Sequence, residues 1–221
     1  MQINIVPENI IGFDPAEYDN FNKLLNLYML HAAKNEEKNR YYEGHISVGE
    51  VNLGIALPQR LRGLEIGCSW GAKTVDVLAA RSMFDGFVGI NGENDAELEQ
   101  LTIDNNLISE YLLACRDQLK YGCTFATLTA DPKIRCKIRF HSPQTAAALW
   151  DGEKGRIKCG FAVVDQKQDN LDGLYTPTLL NYYTDDAIWV IRFDGTYWRA
   201  EKQPHKLGRP MMEPLIWNAT S

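Results

Sequence analysis

The periodicity of the chain changes at Gly122. Before it, apolar residues recur at three- and four-residue steps, as in Phe21, Leu24, Leu25, Tyr28 and Ala32. After it, they alternate with polar residues, as in Lys133 to Phe140. A step near 3.6 lines one face of a helix and a step of 2 lines one face of a strand, so neither stretch suits the other conformation. The chain is therefore expected to be helical over about 14–121 and β-rich over about 123–201. The connections between the expected strands are short, and a parallel crossover needs a dozen or more residues. A mainly antiparallel β-meander follows. Helices segregated from strands in this way define the α+β class.

Local signals place the elements. Asp14-Pro15-Ala16-Glu17 supplies a capping Asp, a Pro at the first helical position and a Glu at the third. The helix it opens has a charged, solvated tail over Lys34–Arg40 and is closed by Gly44. A second helix is expected from about Ala72 to Phe84, stopped at Gly86. A third should begin at Asn94 with Glu97 as capping partner. A fourth, from about Asn106 to Tyr121, carries apolar residues on two neighbouring sides and should be well buried. Cys123–Thr129 and Lys133–Phe140 form a hairpin around Ala130-Asp131-Pro132. Further strands are expected at Arg156–Asp165, Leu174–Thr184, Ala187–Phe193 and Thr196–Glu201. The last two flank Asp194-Gly195, a type I′ signal.

A chain of 221 residues can bury a core without staples, and it reads as one region, 1–221. Hydrophobic residues at 45% and charged residues at 24% exclude disordered, collagen-like and coiled-coil classes. The net charge of −6 argues against a whole-protein footprint on nucleic acid, though not against a local basic patch. No apolar run approaches a membrane span, and MQINIVPENI has neither the basic start nor the apolar core of a signal peptide. Synthesis in the cytosol is expected. Cys68, Cys115, Cys123, Cys136 and Cys159 are odd in number and contain no CxxC pair, so they read as free thiols. His31, His45, His141 and His205 lie far apart.

Leu64-Glu65-Ile66-Gly67-Cys68-Ser69-Trp70-Gly71 resembles the glycine-rich first motif of S-adenosylmethionine-dependent methyltransferases. Phe87-Val88-Gly89-Ile90-Asn91 resembles their second strand. Against this reading, Ser69 and Trp70 stand where close backbone approach needs glycine, and Asn91 stands where an acid should hold the ribose. A doubly wound fold must also keep alternating strand and helix, which the last hundred residues do not do. The competing reading is a tight turn into a helix, with Trp70 packed as an apolar anchor.

Three other clusters carry possible chemistry. Lys133, Arg135, Lys137 and Arg139 share one face of a strand, either as an anion-binding stripe or as a charged, solvated edge. No aromatic residue interleaves them, which favours the edge. Thr184-Asp185-Asp186 reads as a turn. Tyr182, Tyr183, Trp189, Phe193, Tyr197 and Trp198 read as sheet packing rather than as a base-stacking platform. No catalytic, cofactor-binding or metal-binding residue is assigned.

Read end to end, the chain resembles the N-terminal part of the portal proteins of long-tailed bacteriophages. The landmarks are collinear. Tyr41-Tyr42-Glu43-Gly44 comes first, then Leu57-Pro58-Gln59-Arg60 and the turn at Trp70. Val75-Asp76-Val77-Leu78-Ala79-Ala80-Arg81 leads into Gly86-Phe87, and Asn105-Asn106-Leu107 precedes Lys120-Tyr121-Gly122. His141-Ser142-Pro143-Gln144 and Pro214-Leu215-Ile216-Trp217-Asn218 follow. The resemblance implies a wing-like fold and a structural virion protein without a catalytic site or cofactor. It implies a dodecameric ring at one capsid vertex, through which phage DNA is packaged and ejected. The implied partners are terminase, capsid and head-completion proteins, with no membrane. Family members continue beyond Asn218 into tunnel, clip and crown parts. This chain is expected to lack those parts and, alone, not to form a stable dodecamer.

Overall fold

A computed structural model describes residues 3, 5–47, 58–61, 65–67, 70–89, 95–168 and 175–216. Asp14 is a cap, but of a short 3-10 turn over Pro15–Glu17, where its Oδ1 accepts the Ala16 N–H at 3.0 Å. Helix α1 (Tyr18–Glu43) follows without a break. Gly44 ends it at φ +81°, a left-handed conformation that glycine adopts without a Cβ penalty. Phe21, Leu24, Leu25 and Tyr28 form its buried stripe. The charged tail is only partly solvated. Asn35 is buried with its Nδ2 donating to Pro143 O, and Lys38 Nζ donates to Tyr121 O.

Helix α2 spans Trp70–Arg81, shifted toward the N-terminus of its expected range. Helix α3 spans Ala96–Asp104. Its cap is Asp95, which accepts the Glu97 N–H at 2.9 Å; the expected cap, Asn94, lies outside the described residues. Helix α4 spans Leu107–Tyr121 and stops at Gly122, at φ +95°. It is buried along part of both expected sides. Leu107, Ala114, Cys115 and Tyr121 are covered, whereas Ile108 and Leu113 are exposed. Both expected sides are thus partly covered, with Tyr111, Leu112, Gln118 and Leu119 half-buried and Ile108 the exception, as α4 packs against α2 and the sheet beneath.

Eleven strands are described: β1 (Ile10–Ile11), β2 (His45–Ser47), β3 (Glu65–Gly67), β4 (Cys123–Asp131), β5 (Arg135–His141), β6 (Ala146–Asp151), β7 (Arg156–Gln168), β8 (Tyr175–Tyr183), β9 (Ala187–Phe193), β10 (Trp198–Pro204) and β11 (Met212–Ile216). They form three sheets rather than one meander. A six-stranded sheet has the order β1-β10-β9-β8-β7-β6, a three-stranded sheet the order β11-β4-β5, and β2 pairs with β3. Pairing is antiparallel except between β1 and β10. The β-rich part thus extends past residue 201 to Ile216. At the β9–β10 turn, Asp194 N–H donates to Tyr197 O, so the central pair is Gly195-Thr196, not Asp194-Gly195. Gly195 takes φ +101°, and the Asp194 carboxylate accepts the Thr196 and Tyr197 amides.

The six-stranded sheet is covered on both faces, so adjacent residues on one strand can both be buried. Tyr182 points toward α1 and meets Phe21 edge-on at 5.2 Å between ring centroids. Phe13 wedges between them and Trp189, at 5.8 Å from Tyr182 and 5.1 Å from Trp189. Tyr183, one residue on, faces the three-stranded sheet. There Phe125 and Met212 pack with Ala146, Ile157, Ala162 and Ile188 in a second core.

Candidate functional site

The glycine-rich stretch does not open a doubly wound sheet. Its strand, β3, is three residues long and pairs antiparallel with β2 in an isolated ribbon. Leu64, Cys68, Ser69 and Asn91 lie outside the described residues. Gly71 has a packing reason: a Cβ there would sit 3.2 Å from Tyr41 O, so the glycine lets α2 approach the end of α1. Trp70 is not an anchor. It opens α2 with 79% of its surface exposed.

The four basic residues do not form one continuous stripe. Lys133 sits in the turn before β5, where its N–H is held by Asp131 Oδ1. Arg135 takes φ +59° and pairs at 3.4 Å with Glu97 of α3, both side chains exposed. Lys137 and Arg139 follow on alternate positions of the edge strand β5. The same face ends in His141, which is buried against Thr127 with its Nε2 3.0 Å from Oγ1. Burial, helped by the nearby Arg139 charge, pushes the His141 pKa down to about 4.

Thr184-Asp185-Asp186 is a turn as expected, with Thr184 Oγ1 bonded to Asp186 Oδ1 and accepting the Ala187 N–H. Asp186 pairs with Lys202 and Asp185 with Arg156. Among the aromatic residues, Tyr182, Tyr183 and Trp189 are buried, and Phe193 stacks obliquely on Trp198 at 5.2 Å. Tyr197 alone of the six is more than half exposed. Cys115, Cys123, Cys136 and Cys159 are free thiols, as expected, and burial raises the pKa of each, to about 11 for Cys159. Cys68 lies outside the described residues. Among the described residues, no group of three or more His, Cys, Asp or Glu could hold a metal ion.

Two features went unread in the sequence. The first is a polar junction of α1, α2 and α4. Tyr42 OH donates to Asp76 Oδ1 at 2.9 Å, and Arg116 Nε lies 2.7 Å from the same oxygen. Lys120 bonds Asn39 and lies over the Tyr42 and Tyr121 rings, at 4.3 and 5.0 Å from their centroids. Burial raises the Asp117 pKa and lowers that of Lys120, with each charge partly offsetting the other's shift. This cluster locks three helices together.

The second is a cleft of about 400 Å³ between α1, the start of β4 and the edge of β6. Tyr28, Phe125 and Pro143 make it apolar, and exposed His31 and Lys38 stand at its rim. Tyr28 OH donates to Gln144 O at 2.7 Å, fixing α1 against the turn that leads into β6. No sequence signal joins these residues, which come from three separate segments; Tyr28 and Gln144 are 116 positions apart.

No protein-family model matches the chain, and no curated protein matches it.

Proposed function

We propose that the chain is a structural subunit, the wing-containing part of a portal ring at a phage capsid vertex. The observation that carries this reading is where apolar surface is exposed. Leu30, Trp70, Met83, Val88, Ile103 and Ile108 are each about two-thirds exposed or more, and all belong to the helical part. A subunit of an assembly needs apolar surface for its neighbours to cover, and these side chains offer it. Among the described residues no helix is long and apolar enough to cross a membrane.

Several of the landmark residues that carry the resemblance have structural jobs. Gly44 and Gly122 end helices at positive φ. Asn105 is buried and bridges α3 to β5, with its Nδ2 donating to Leu101 O and Cys136 O while its Oδ1 accepts the Ile138 N–H. Asn106 turns the chain at φ +49°, a conformation Asn tolerates better than most residues, and Leu107 is buried at the start of α4. In this reading the ring passes DNA, terminase supplies the motor, and capsid and head-completion proteins cover the wing. The ring in this reading is a dodecamer.

Deleting the encoding gene from the phage genome and supplying it in trans tests this. Without it, heads should contain no packaged DNA; with it, filled heads should return. Filled heads of normal yield in the deletion would overturn the proposal.

A further inference from the structure

Helix α2 has two unlike faces. On one, Ala79 is buried and Ala72, Val75 and Asp76 are half-buried where the helix packs on α1 and α4. On the opposite side Trp70, Thr74, Val77 and Arg81 recur at steps of four, three and four, with Lys73 and Leu78 flanking them. All six are exposed. Trp70 keeps 79% of its surface open, Val77 45% and Leu78 44%. The first five of these residues along the chain line a shallow depression of about 530 Å³. Among the described residues, neither the Lys73 nor the Arg81 side chain is engaged in a hydrogen bond or an ion pair. The one acid of α2, Asp76, is turned inward, where its carboxylate accepts the Tyr42 hydroxyl and lies against Arg116.

This chemistry selects the occupant. Backbone groups within a helix bond to one another, so a partner on this face must be held by side chains rather than by strand pairing. A stripe with helical spacing is matched by a second helix whose apolar residues recur at the same three- and four-residue steps. Two unpaired cations without an acid on the face call for carboxylates on that helix. A second copy of the chain fits poorly. An antiparallel α2 centred on Val77 would set Lys73 against Arg81, and a parallel one would set Lys73 against Lys73. Helix α3 carries Glu97, Glu99 and Asp104 and no basic residue, but of its large apolar side chains only Ile103 is exposed. A lipid surface is the poorer match, because Arg81 lies on the centre line of the stripe rather than at its border.

We propose that the outer face of α2 receives an acidic amphipathic helix of a different protein. Apolar side chains of that helix pack on Trp70, Val77 and Leu78, and its carboxylates pair with Lys73 and Arg81. From Trp70 to Arg81 the stripe runs about 16 Å, at 1.5 Å per residue. A contact of that length belongs with small, transient interfaces, in which one large aromatic side chain carries much of the affinity. Trp70 is that side chain. The inference rests on α2 alone and stands whether or not the ring reading does.

The probe is a fluorescein-labelled, hydrocarbon-stapled helical peptide of about four turns. It has leucines at steps of four, three and four, glutamates on both sides of them and the staple on its far face. Titrated onto the full chain and followed by anisotropy, it should bind saturably and one to one. The same peptide with lysine in place of each glutamate should bind at least tenfold more weakly. Trp70→Ser should weaken binding of the acidic peptide at least tenfold while leaving thermal unfolding unchanged. Lys73→Glu combined with Arg81→Glu should reverse the preference, so that the lysine peptide binds at least tenfold more tightly than the acidic one. Fluorine NMR of the chain labelled with 5-fluorotryptophan gives an independent readout. Of the five tryptophan resonances, the one lost in Trp70→Ser should shift on addition of the acidic peptide. Absence of saturable binding up to millimolar peptide would overturn the proposal. So would equal binding of the two peptides, a preference that the double reversal leaves unchanged, or a Trp70 resonance that does not move. Self-association of the chain that Trp70→Ser abolishes would assign the face to a second copy instead, and binding to phosphatidylserine-containing vesicles that Trp70→Ser abolishes would assign it to a membrane; either result overturns the proposal.

Discussion

Replacing Gly160 with alanine should push the two main sheets apart. Gly160 lies on β7 beneath β11, and a Cβ there would meet Met212 Sδ at 2.5 Å, Ala147 O at 3.0 Å and Ala148 Cβ at 3.2 Å. The thioether can swing aside, because methionine has three rotatable bonds. The Ala147 carbonyl cannot, because it belongs to the β6–β7 ladder. Overpacking a close-packed site costs about 1–3 kcal/mol. Alanine recovers about 0.5–1 kcal/mol by restricting the unfolded chain. The expected net loss is about 1–2 kcal/mol for Gly160→Ala, and about 3 kcal/mol for the bulkier Gly160→Val. Met212→Ala alone should cost about 2–5 kcal/mol through the cavity it leaves. The double variant should cost at least about 1 kcal/mol less than the sum, because the new Cβ occupies part of that cavity. Urea unfolding followed by tryptophan fluorescence reads these as midpoint shifts at constant m. A Gly160→Ala variant as stable as the parent, or a strictly additive double variant, would refute the claim that the sheets touch through this glycine.

His141 has a folded pKa of about 4 because it is buried, against about 6.5 when unfolded. The unfolded state binds more protons between those values. Stability present at neutral pH should therefore fall by up to about 3 kcal/mol as pH drops from about 6.5 to about 4. His141→Gln should flatten that part of a pH series of urea midpoints. Asn105→Ala removes the side-chain partners of the Ile138 amide and the Cys136 carbonyl, while Leu101 O keeps the residue-105 N–H; this should cost about 1–3 kcal/mol and speed hydrogen exchange at Ile138. Asn106→Gly should be neutral within about 0.5 kcal/mol, whereas Asn106→Val should cost about 1 kcal/mol or more at φ +49° by the same unfolding assay. Trp70→Ser should change stability by less than about 0.5 kcal/mol, because its side chain is open to solvent.

What could be read from the sequence was what short-range physics decides. The stripe of α1 and the glycine stops at Gly44 and Gly122 depend on neighbours a few positions away, and they stand where expected. The hairpin of β4 and β5 is equally local. β6 was invisible because Ala146-Ala147-Ala148 has neither alternation nor β-branching; its strand form is imposed by pairing with β7. β11 was hidden by Pro214, which an edge strand tolerates. Trp70 misled because size suggests burial, while its place at the start of α2 leaves it outside. The cleft could not be read at all, since Tyr28 and Gln144 meet only once the sheet has folded against α1.

The central proposal is that this chain is part of a ring at one capsid vertex. Vertex-focused cryo-electron microscopy of the assembled phage heads tests it most directly. The account predicts a single vertex occupied by a closed ring, each subunit containing a lobe into which α1–α4 and the six- and three-stranded sheets fit as described. A particle in which this lobe is absent, or repeats over the shell at every vertex, would contradict it.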